Sequence, residues 1–149
     1  MRHLHLDLVG GLSGDMFIGA ILDAFPDLIG GLQGVIASAG FPDLVSLATA
    51  PHDDGTLAGT RFSVSAANEE SHHHRQYSEI KDKLGASELP ETTRAHALAI
   101  LHAIAEVEAV IHGKTVESVI FHEVGAWDSI ADIVLAAHLI SELDATWSV

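Results

Sequence analysis

Hydrophobic and polar residues alternate strictly near the start of the chain, and the spacing then becomes helical. In residues 3–8, HLHLDL, the leucines fall on one side and the polar residues, including Asp7, fall on the other, a pattern typical of a β-strand. The strand leads into GGLSG and then DMFIGAILDAF, which predicts a helix beginning at Ser13 or Gly14. A strand, a glycine-rich turn and a helix in this order predict an α/β unit.

The middle of the chain predicts a helix, a hairpin and a polar loop. Residues 27–40, DLIGGLQGVIASAG, indicate a second helix that its glycines weaken. The runs VSLATAP and LAGTRFSVSA then predict two strands, and Asp54-Gly55 between them is a hairpin signal. Residues 68–75, NEESHHHR, lack any core periodicity and are predicted to form a loop.

Helical periodicity dominates the second half of the chain. QYSEIKDKLGAS predicts a short amphipathic helix, and a long helix is expected to start at Pro90 and end at Gly113. DSIADIVLAAHLISEL predicts a strongly apolar helix with Asp128 as its N-cap, and ATWSV indicates a final strand. These elements predict a single α/β domain over residues 1–149, with a small sheet of about four or five strands flanked by helices.

Charge and composition narrow the classes of partner. The 7 Lys and Arg residues against 21 Asp and Glu give a net charge of −14, which disfavours nucleic acid and suits a protein that attracts cations. Because the chain has no cysteine, a metal would be held by imidazole and carboxylate, as suits Ni, Zn, Co, Mn or Fe. The N-terminus lacks the apolar core of a signal peptide and no run of about 18 apolar residues is present, so we expect a soluble cytoplasmic protein without a membrane partner.

Ionisable residues accumulate in the segment FHEVGAWDSIAD, directly before the most apolar helix. The segment contains His122, Glu123, Asp128 and Asp132. At about 100° per residue, Asp128 and Asp132 share the helix face of Leu135, which should point inward. Acids in a first turn are also explained by capping and the helix dipole. That explanation leaves His122 and Glu123 unaccounted for, so a metal or proton-transfer site is favoured here.

A run of three histidines, His72, His73 and His74, lies in the predicted loop. Imidazole is the commonest ligand of borderline transition metals. Adjacent histidines on a loop would bind such ions loosely, which favours capture or hand-over of a metal rather than catalysis. A solvated polar loop is the alternative interpretation.

Two His–Glu pairs with four-residue spacing lie on the long predicted helix. Such spacing allows two side chains to meet one ion. Glu108 and His112 fall near the apolar arc, where a buried hydrogen-bonded pair and a metal site are equally compatible with the sequence. His102 and Glu106 fall on the polar side, and a surface pair worth a few tenths of a kcal/mol is the favoured interpretation.

The glycine-rich turn DLVGGLSGDM is a candidate ligand-binding turn. It places Asp7 at the end of a strand and Asp15 in the first turn of a helix, where backbone N–H groups often bind phosphate. The turn lacks the Lys-Ser/Thr of a Walker motif and is not a GxGxxG sequence. Since Asp15 would repel a bare phosphate, a metal or a cationic ligand ring is the better fit. Ser13 is interpreted as a cap only.

Four motifs together resemble one known family. DLVGGLSGDM, HHHR, AEVEAVIHG and FHEVGAWDSIAD, in this order and spacing, are similar to the N-terminal half of the nickel-insertion proteins of lactate racemase maturation (the LarC family). The resemblance implies insertion of Ni²⁺ into a pyridinium bis-thiocarboxylate mononucleotide, which makes the nickel-pincer nucleotide cofactor. It also implies CTP hydrolysis with Mn²⁺ or Mg²⁺, in a second half of the family's architecture that is not expected within residues 1–149.

The resemblance assigns roles residue by residue. The matching positions are His72, His73, His74, His112 and His122 as metal ligands, Glu123 and Asp128 as catalytic residues, and Asp7, Gly14 and Asp15 as cofactor-binding residues. Trp127 departs from the pattern, since a smaller apolar residue is expected there. The implied partners are the nucleotide-derived pincer ligand, a separate chain carrying the second half, lactate racemase and a second copy of the chain. A stand-alone metal chaperone or store and a metal-dependent phosphoester hydrolase remain as alternative functions.

Overall fold

Helices make up most of the structure, a computed structural model that describes residues 2–67 and 74–149. The α-helices in these residues are α1 (Gly14–Ala24), α2 (Leu32–Ser38), α3 (Tyr77–Gly85), α4 (Glu91–His112) and α5 (Trp127–Leu143). The strands are β1 (Arg2–His5), β2 (Val45–Asp53), β3 (Ala58–Ala66), β4 (Arg75–Gln76), β5 (Ile120–Phe121) and β6 (Ala145–Ser148). Short 3₁₀ helices span Pro26–Gly31 and Val116–Ser118.

The strands of the described residues pair in three separate two-stranded sheets. The first and last strands, β1 and β6, are parallel; β2 and β3 form an antiparallel hairpin; and β4 pairs with β5 in antiparallel fashion. The predicted α/β class is confirmed, but the strands do not join into one sheet of four or five. A two-stranded sheet is marginal alone, so helix packing must hold each pair in place.

Helix α5 lies at the centre of the molecule and packs against α4, α1 and α2. The Ile130, Val134, Leu135 and Leu139 side chains on it are fully buried. Its sequence is apolar on most of its circumference, as expected of a helix that is covered by neighbours on several sides. Because α5 is anchored in the core, its first turn is a fixed point for the side chains that lie beside it.

Most predicted elements are confirmed, and three boundaries were wrong. The first strand ends at His5 rather than at residue 8, because its partner β6 supplies only four residues to the ladder. The second predicted helix is α-helical only from Leu32, after the 3₁₀ segment that ends in two glycines. The fifth helix begins at Trp127 with Ala126 in the N-cap position, so Asp128 is not the cap.

Helix α1 packs directly against the β2–β3 hairpin. A Cβ atom on Gly19 would lie 2.9 Å from the backbone oxygen of Thr60 and 3.4 Å from the backbone nitrogen of Phe62. Only glycine therefore allows this close approach of the helix to the backbone of β3. The two elements border a groove, described below.

Helix α4 is long and apolar enough, by length and composition alone, to span a membrane. The helix contains no unbroken run of about 18 apolar residues, because Arg94, Glu106 and Glu108 interrupt it. Helix α4 contacts α5 and α3 and buries residues such as Leu101 and Ala105, and 22% of its apolar window is buried inside the structure. One such helix is weak support for a membrane span.

Candidate functional site

The short β4–β5 ladder brings two predicted metal ligands together. Its register pairs Arg75 with Phe121 and Gln76 with Ile120. Continuing an antiparallel register by one residue places His74 opposite His122. Their ring centroids are 4.8 Å apart in an edge-to-face arrangement, so residues 48 positions apart in sequence meet through two backbone strands of two residues each.

A third imidazole reaches the same place from the end of α4. His112 is the last residue of the helix, before Gly113 in the left-handed region at φ 61°. Its ring centroid lies 5.7 Å from that of His122, and its Nε2 atom lies 3.1 Å from a carboxylate oxygen of Glu108. We refer to His74, His112 and His122 as the histidine cluster.

Two surface cavities adjoin the histidine cluster, and both are lined by His122 and Glu123. The larger has a volume of about 470 Å³ and is also lined by His74, Ala126, Asp128 and Ser129. The smaller measures about 320 Å³ and is also lined by Glu108, Ile111, His112, Phe121 and Val124. As placed, no three histidine, aspartate or glutamate side chains within residues 2–67 and 74–149 form a ready metal site. The rings are exposed, so rotation about side-chain bonds is open to them.

Arg75, Gly125 and Trp127 hold this region in shape, and the sequence did not identify them as functional. Arg75 donates a hydrogen bond of 2.6 Å to the backbone oxygen of Gly125, and its guanidinium lies 4.4 Å from the centroid of the Trp127 ring. Trp127 in turn stacks on Phe41 at 5.4 Å. The unexpected tryptophan therefore joins the β4–β5 ladder to the core. In the sequence, the HHHR motif ends in Arg75, and this was the signal that could have identified the arginine as part of the site.

Three carboxylates form a second group beside the histidine cluster. Asp132 is partly buried on α5, and its Oδ1 atom, fully shielded from solvent, has no hydrogen-bond partner among the described residues. Burial, and to a smaller extent the negative charges of Asp15 and Asp128, together raise the pKa of Asp132 to about 7. We refer to Asp15, Asp128 and Asp132 as the acid cluster. Asp128 belongs to both regions, since it also lines the larger cavity beside the histidines.

Some residues of the glycine-rich turn lie beside the acid cluster, and others do not. A Cβ atom on Gly14 would lie 2.8 Å from the Cβ of Asp132, so the glycine allows α1 and α5 to meet at this point. The hydroxyl of Ser13 donates to the carboxylate of Asp15, and Ser13 makes no side-chain capping bond. Asp7 is exposed and accepts only a 3.4 Å hydrogen bond from the backbone of Val9 among the described residues. Of the first motif, Gly14 and Asp15 thus adjoin the site.

Some of the remaining predicted site residues lie where the sequence predicted, and others do not. His72 and His73 lie outside the described residues. The Glu108–His112 pair is not buried, because 31% and 40% of the two side chains are exposed. The His102–Glu106 pair is exposed with a 3.7 Å separation, as the surface interpretation predicted. Asp128 bonds to the adjacent backbone N–H of Ser129 at 2.8 Å instead of capping the helix.

The side chains that meet at this site indicate a protein that binds transition metals. Three imidazoles from three chain segments, two glutamates and a neighbouring acid cluster in a cysteine-free chain are a donor set suited to divalent transition metals. Residues 4–148 match the family described as nickel insertion protein. The chain belongs to the nickel insertion protein family.

Curated relatives share a third to two fifths of their residues with the chain. The pyridinium-3,5-bisthiocarboxylic acid mononucleotide nickel insertion protein of Geobacillus kaustophilus is 39% identical over 96% of this chain and 36% of its own length. Proteins of the same name from Akkermansia muciniphila and Staphylococcus saprophyticus are 37% and 34% identical, over 92% and 94% of this chain. The chain spans about a third of the length of these relatives. No solved structure matches it.

Proposed function

We propose that this chain binds nickel at the histidine cluster and presents it for insertion into a pyridinium bis-thiocarboxylate mononucleotide. The observation that carries the proposal is the β4–β5 register, which sets His74 opposite His122 beside His112. Membership of the nickel insertion protein family supports nickel as the metal. The names of the relatives support the mononucleotide as the acceptor.

Nickel is the cargo of this process, so its site must release as well as bind. Exposed imidazoles bind in their neutral form and give up the ion readily, unlike buried ligands on rigid elements. Glu108 and Glu123 flank the cluster and supply carboxylate oxygens from the two cavities. Asp128 lies on the path from the histidines to Asp132, where it can hold the ion in transit or take up displaced protons.

The test is a nickel titration by calorimetry with the unaltered chain, His122→Ala and a triple His72, His73, His74→Ala variant. Replacing His122 should weaken nickel binding at least about tenfold, because lost supporting contacts alone cost metal sites that much. The control is His96→Ala on the same helix as His112, whose ring bonds to Ser141 at 3.0 Å. Its nickel affinity should equal that of the unaltered chain.

The same titration at pH 5.5 should give weaker binding than at pH 7.5. Imidazole has a pKa of about 6.5 in peptides, and its protonated form cannot ligate a metal. Equal affinity at both pH values, or unchanged binding by His122→Ala, would contradict the histidine cluster as the nickel site. Loss in the triple variant with retention in His122→Ala would move the site to the loop histidines.

Two further functions are distinguished by simple assays. A stand-alone metal chaperone or store would bind nickel but have no affinity for a mononucleotide. A hydrolase using His122, Glu123, Asp128 and Asp132 with Mn²⁺ or Zn²⁺ would turn over a phosphoester such as p-nitrophenyl phosphate. The shared family favours nickel insertion over the hydrolase.

We also propose where the remaining chemistry occurs, the location of the protein and its partners. We assign the CTP chemistry with Mn²⁺ or Mg²⁺, and with it full nickel-chelatase activity, to a part of the longer relatives that this chain does not span. The expected location is the cytoplasm. The expected partners are the pincer ligand, the second-half polypeptide, lactate racemase and a further copy of this chain.

A further inference from the structure

A cavity larger than the two beside the histidine cluster lies between α1 and the β2–β3 hairpin. Its volume is about 710 Å³, within the range of sites for small organic ligands. The residues that line it are Asp15, Met16, Ala20 and Asp23 from α1 and its first turn, and His52, Leu57, Ala58, Gly59, Thr60, Arg61, Phe62 and Ser63 from the hairpin. None of the hairpin residues was identified as functional from the sequence.

Arg61 and His52 form a donor pair on the hairpin side of this groove. A guanidinium nitrogen of Arg61 lies 3.2 Å from Nδ1 of His52. Because a guanidinium can only donate, Nδ1 accepts, and the proton of the neutral imidazole is carried by Nε2. The pair therefore offers N–H donors from both side chains. Such a pair is suited to a phosphate group.

Arg61 differs from the other arginines of the described residues in what it contacts. Arg2, Arg75 and Arg94 each donate to backbone carbonyl oxygens, which ties them to the fold. No salt bridge within residues 2–67 and 74–149 involves Arg61. Arg61 instead contacts a side chain, the imidazole of His52. A guanidinium has five N–H donors, so further donors remain for an anion.

The other lining residues match the remaining parts of a nucleotide. The Asp23 carboxylate accepts a 2.9 Å hydrogen bond from the Thr60 hydroxyl and has further acceptor capacity, as carboxylates that bind ribose hydroxyls do. Met16 and Leu57 are 54% and 72% exposed. These apolar side chains line the groove and offer a surface for a flat heteroaromatic ring.

The groove also adjoins the acid cluster. Asp15 lines it, and the charges of Asp15 and Asp128 both act on the carboxyl of Asp132. Asp128 in turn lines the cavity beside His74 and His122. A line of carboxylates thus connects the groove with the histidine cluster.

We infer that the α1–hairpin groove is the binding site for the pyridine mononucleotide, with its phosphate on Arg61 and His52 and its ribose on Asp23 and Thr60. This inference rests on the proposed function and adds the place where the acceptor binds. The pyridine ring lies against Met16 and Leu57. Nickel then reaches the ligand through the acid cluster.

The experiment is a calorimetric titration of the 149-residue chain with nicotinic acid mononucleotide, which carries the pyridinium ring, ribose and phosphate of the ligand. Arg61→Gln should weaken binding at least about tenfold, as expected for lost charge-assisted hydrogen bonds. The matched control is Lys114→Gln, which removes the same charge at an exposed position outside the groove. It should leave affinity unchanged.

A second variant tests the groove without touching its polar residues. Ala20 is exposed on α1 and lines the groove, so Ala20→Phe fills the space while the helix and its buried face are kept. This variant should lose mononucleotide binding and keep the nickel affinity of the unaltered chain. Inorganic phosphate should bind at least about tenfold more weakly than the mononucleotide, since it lacks the ring and the ribose.

Nickel titrations on the same samples separate this inference from the proposed function. Nickel binding without mononucleotide binding, or mononucleotide binding that survives both Arg61→Gln and Ala20→Phe, overturns the groove and leaves the nickel proposal intact. Phosphate binding as tightly as the mononucleotide also overturns it. Mononucleotide binding that depends on Arg61 and Ala20 in a chain that fails to bind nickel supports the groove and overturns the nickel proposal.

Discussion

Asp132 is the residue whose environment departs most from that of an ordinary carboxylate. Its Oδ1 is shielded from solvent without a partner among the described residues, and its pKa is raised to about 7. A carboxyl pKa that is higher in the folded state means that the folded protein holds the proton more tightly than the unfolded chain. Stability contributed by this proton is complete below pH 3.8 and is lost as pH rises through about 7.

Asp132→Asn should therefore raise the melting temperature more at pH 8 than at pH 5. The amide cannot ionise, so the cost of burying a charge disappears. After allowance for solvent screening at a partly exposed site, we expect a gain of about 1 kcal/mol, or roughly 2–4 °C for a chain of this size. Thermal unfolding followed by circular dichroism at both pH values measures it.

Asp43→Asn at an exposed position is the control and should show no pH-dependent difference. A melting temperature that Asp132→Asn lowers at pH 8 would mean that the ionised carboxylate is held by favourable contacts in the folded protein. The pKa of Asp132 would then not be raised in the folded protein. A divalent cation in the acid cluster would have the same signature, which repeating the scan with EDTA distinguishes.

At the scale of elements, the β4–β5 ladder depends on one glycine. A Cβ on Gly125 would lie 2.8 Å from the backbone oxygen of Phe121 and 3.1 Å from the backbone nitrogen of Arg75. Both atoms belong to the ladder that places His74 opposite His122. Backbone oxygens and nitrogens cannot rotate away as a side chain can, so an added methyl group must displace a strand.

Gly125→Ala should lower stability by roughly 1–3 kcal/mol, as overpacking commonly does, and should also weaken nickel binding. Loss of both is expected because the same displacement separates the two histidine-bearing segments. Urea unfolding and nickel calorimetry measure the two effects. Gly85→Ala is the control, since nothing lies within 4 Å of its added Cβ, and unchanged nickel affinity in Gly125→Ala would contradict the importance of the ladder.

At the scale of the whole molecule, close helix packing sets the shape of both regions. Helix α1 meets β3 at Gly19 and meets α5 at Gly14. One side of the helix therefore borders the groove, while its first turn borders the acid cluster. Movement of α1 would change the groove while leaving the β4–β5 ladder, which belongs to other elements, in place.

Gly19→Ala should lower stability and mononucleotide affinity without changing nickel affinity. Alanine is favoured over glycine by up to about 1 kcal/mol inside a helix, but its Cβ would overlap the backbone oxygen of Thr60 at 2.9 Å, and the overlap should outweigh the propensity. Gly34→Ala in α2 has open space around the Cβ and should stabilise the chain. A parallel loss of nickel affinity in Gly19→Ala would show that the two regions are not independent.

The sequence by itself determined what depends on local periodicity and on residue chemistry. Helices α1, α3, α4 and α5 and the β2–β3 hairpin follow from hydrophobic spacing, and Gly113 marked the end of α4 because a left-handed cap favours glycine. The lack of cysteine restricted the candidate ligands to histidine and carboxylates. The four motifs led to the family that the comparison confirmed.

Only the tertiary structure decided which of those residues meet. Strand pairing is a long-range interaction, so hydrophobic spacing could not reveal three separate sheets or the register that joins His74 to His122. It also could not separate Asp128, shared by two regions, from Asp7, which is exposed and lines neither the groove nor the two cavities beside the histidine cluster. The pKa of Asp132 likewise depends on burial and on charges from another helix, which no local pattern contains.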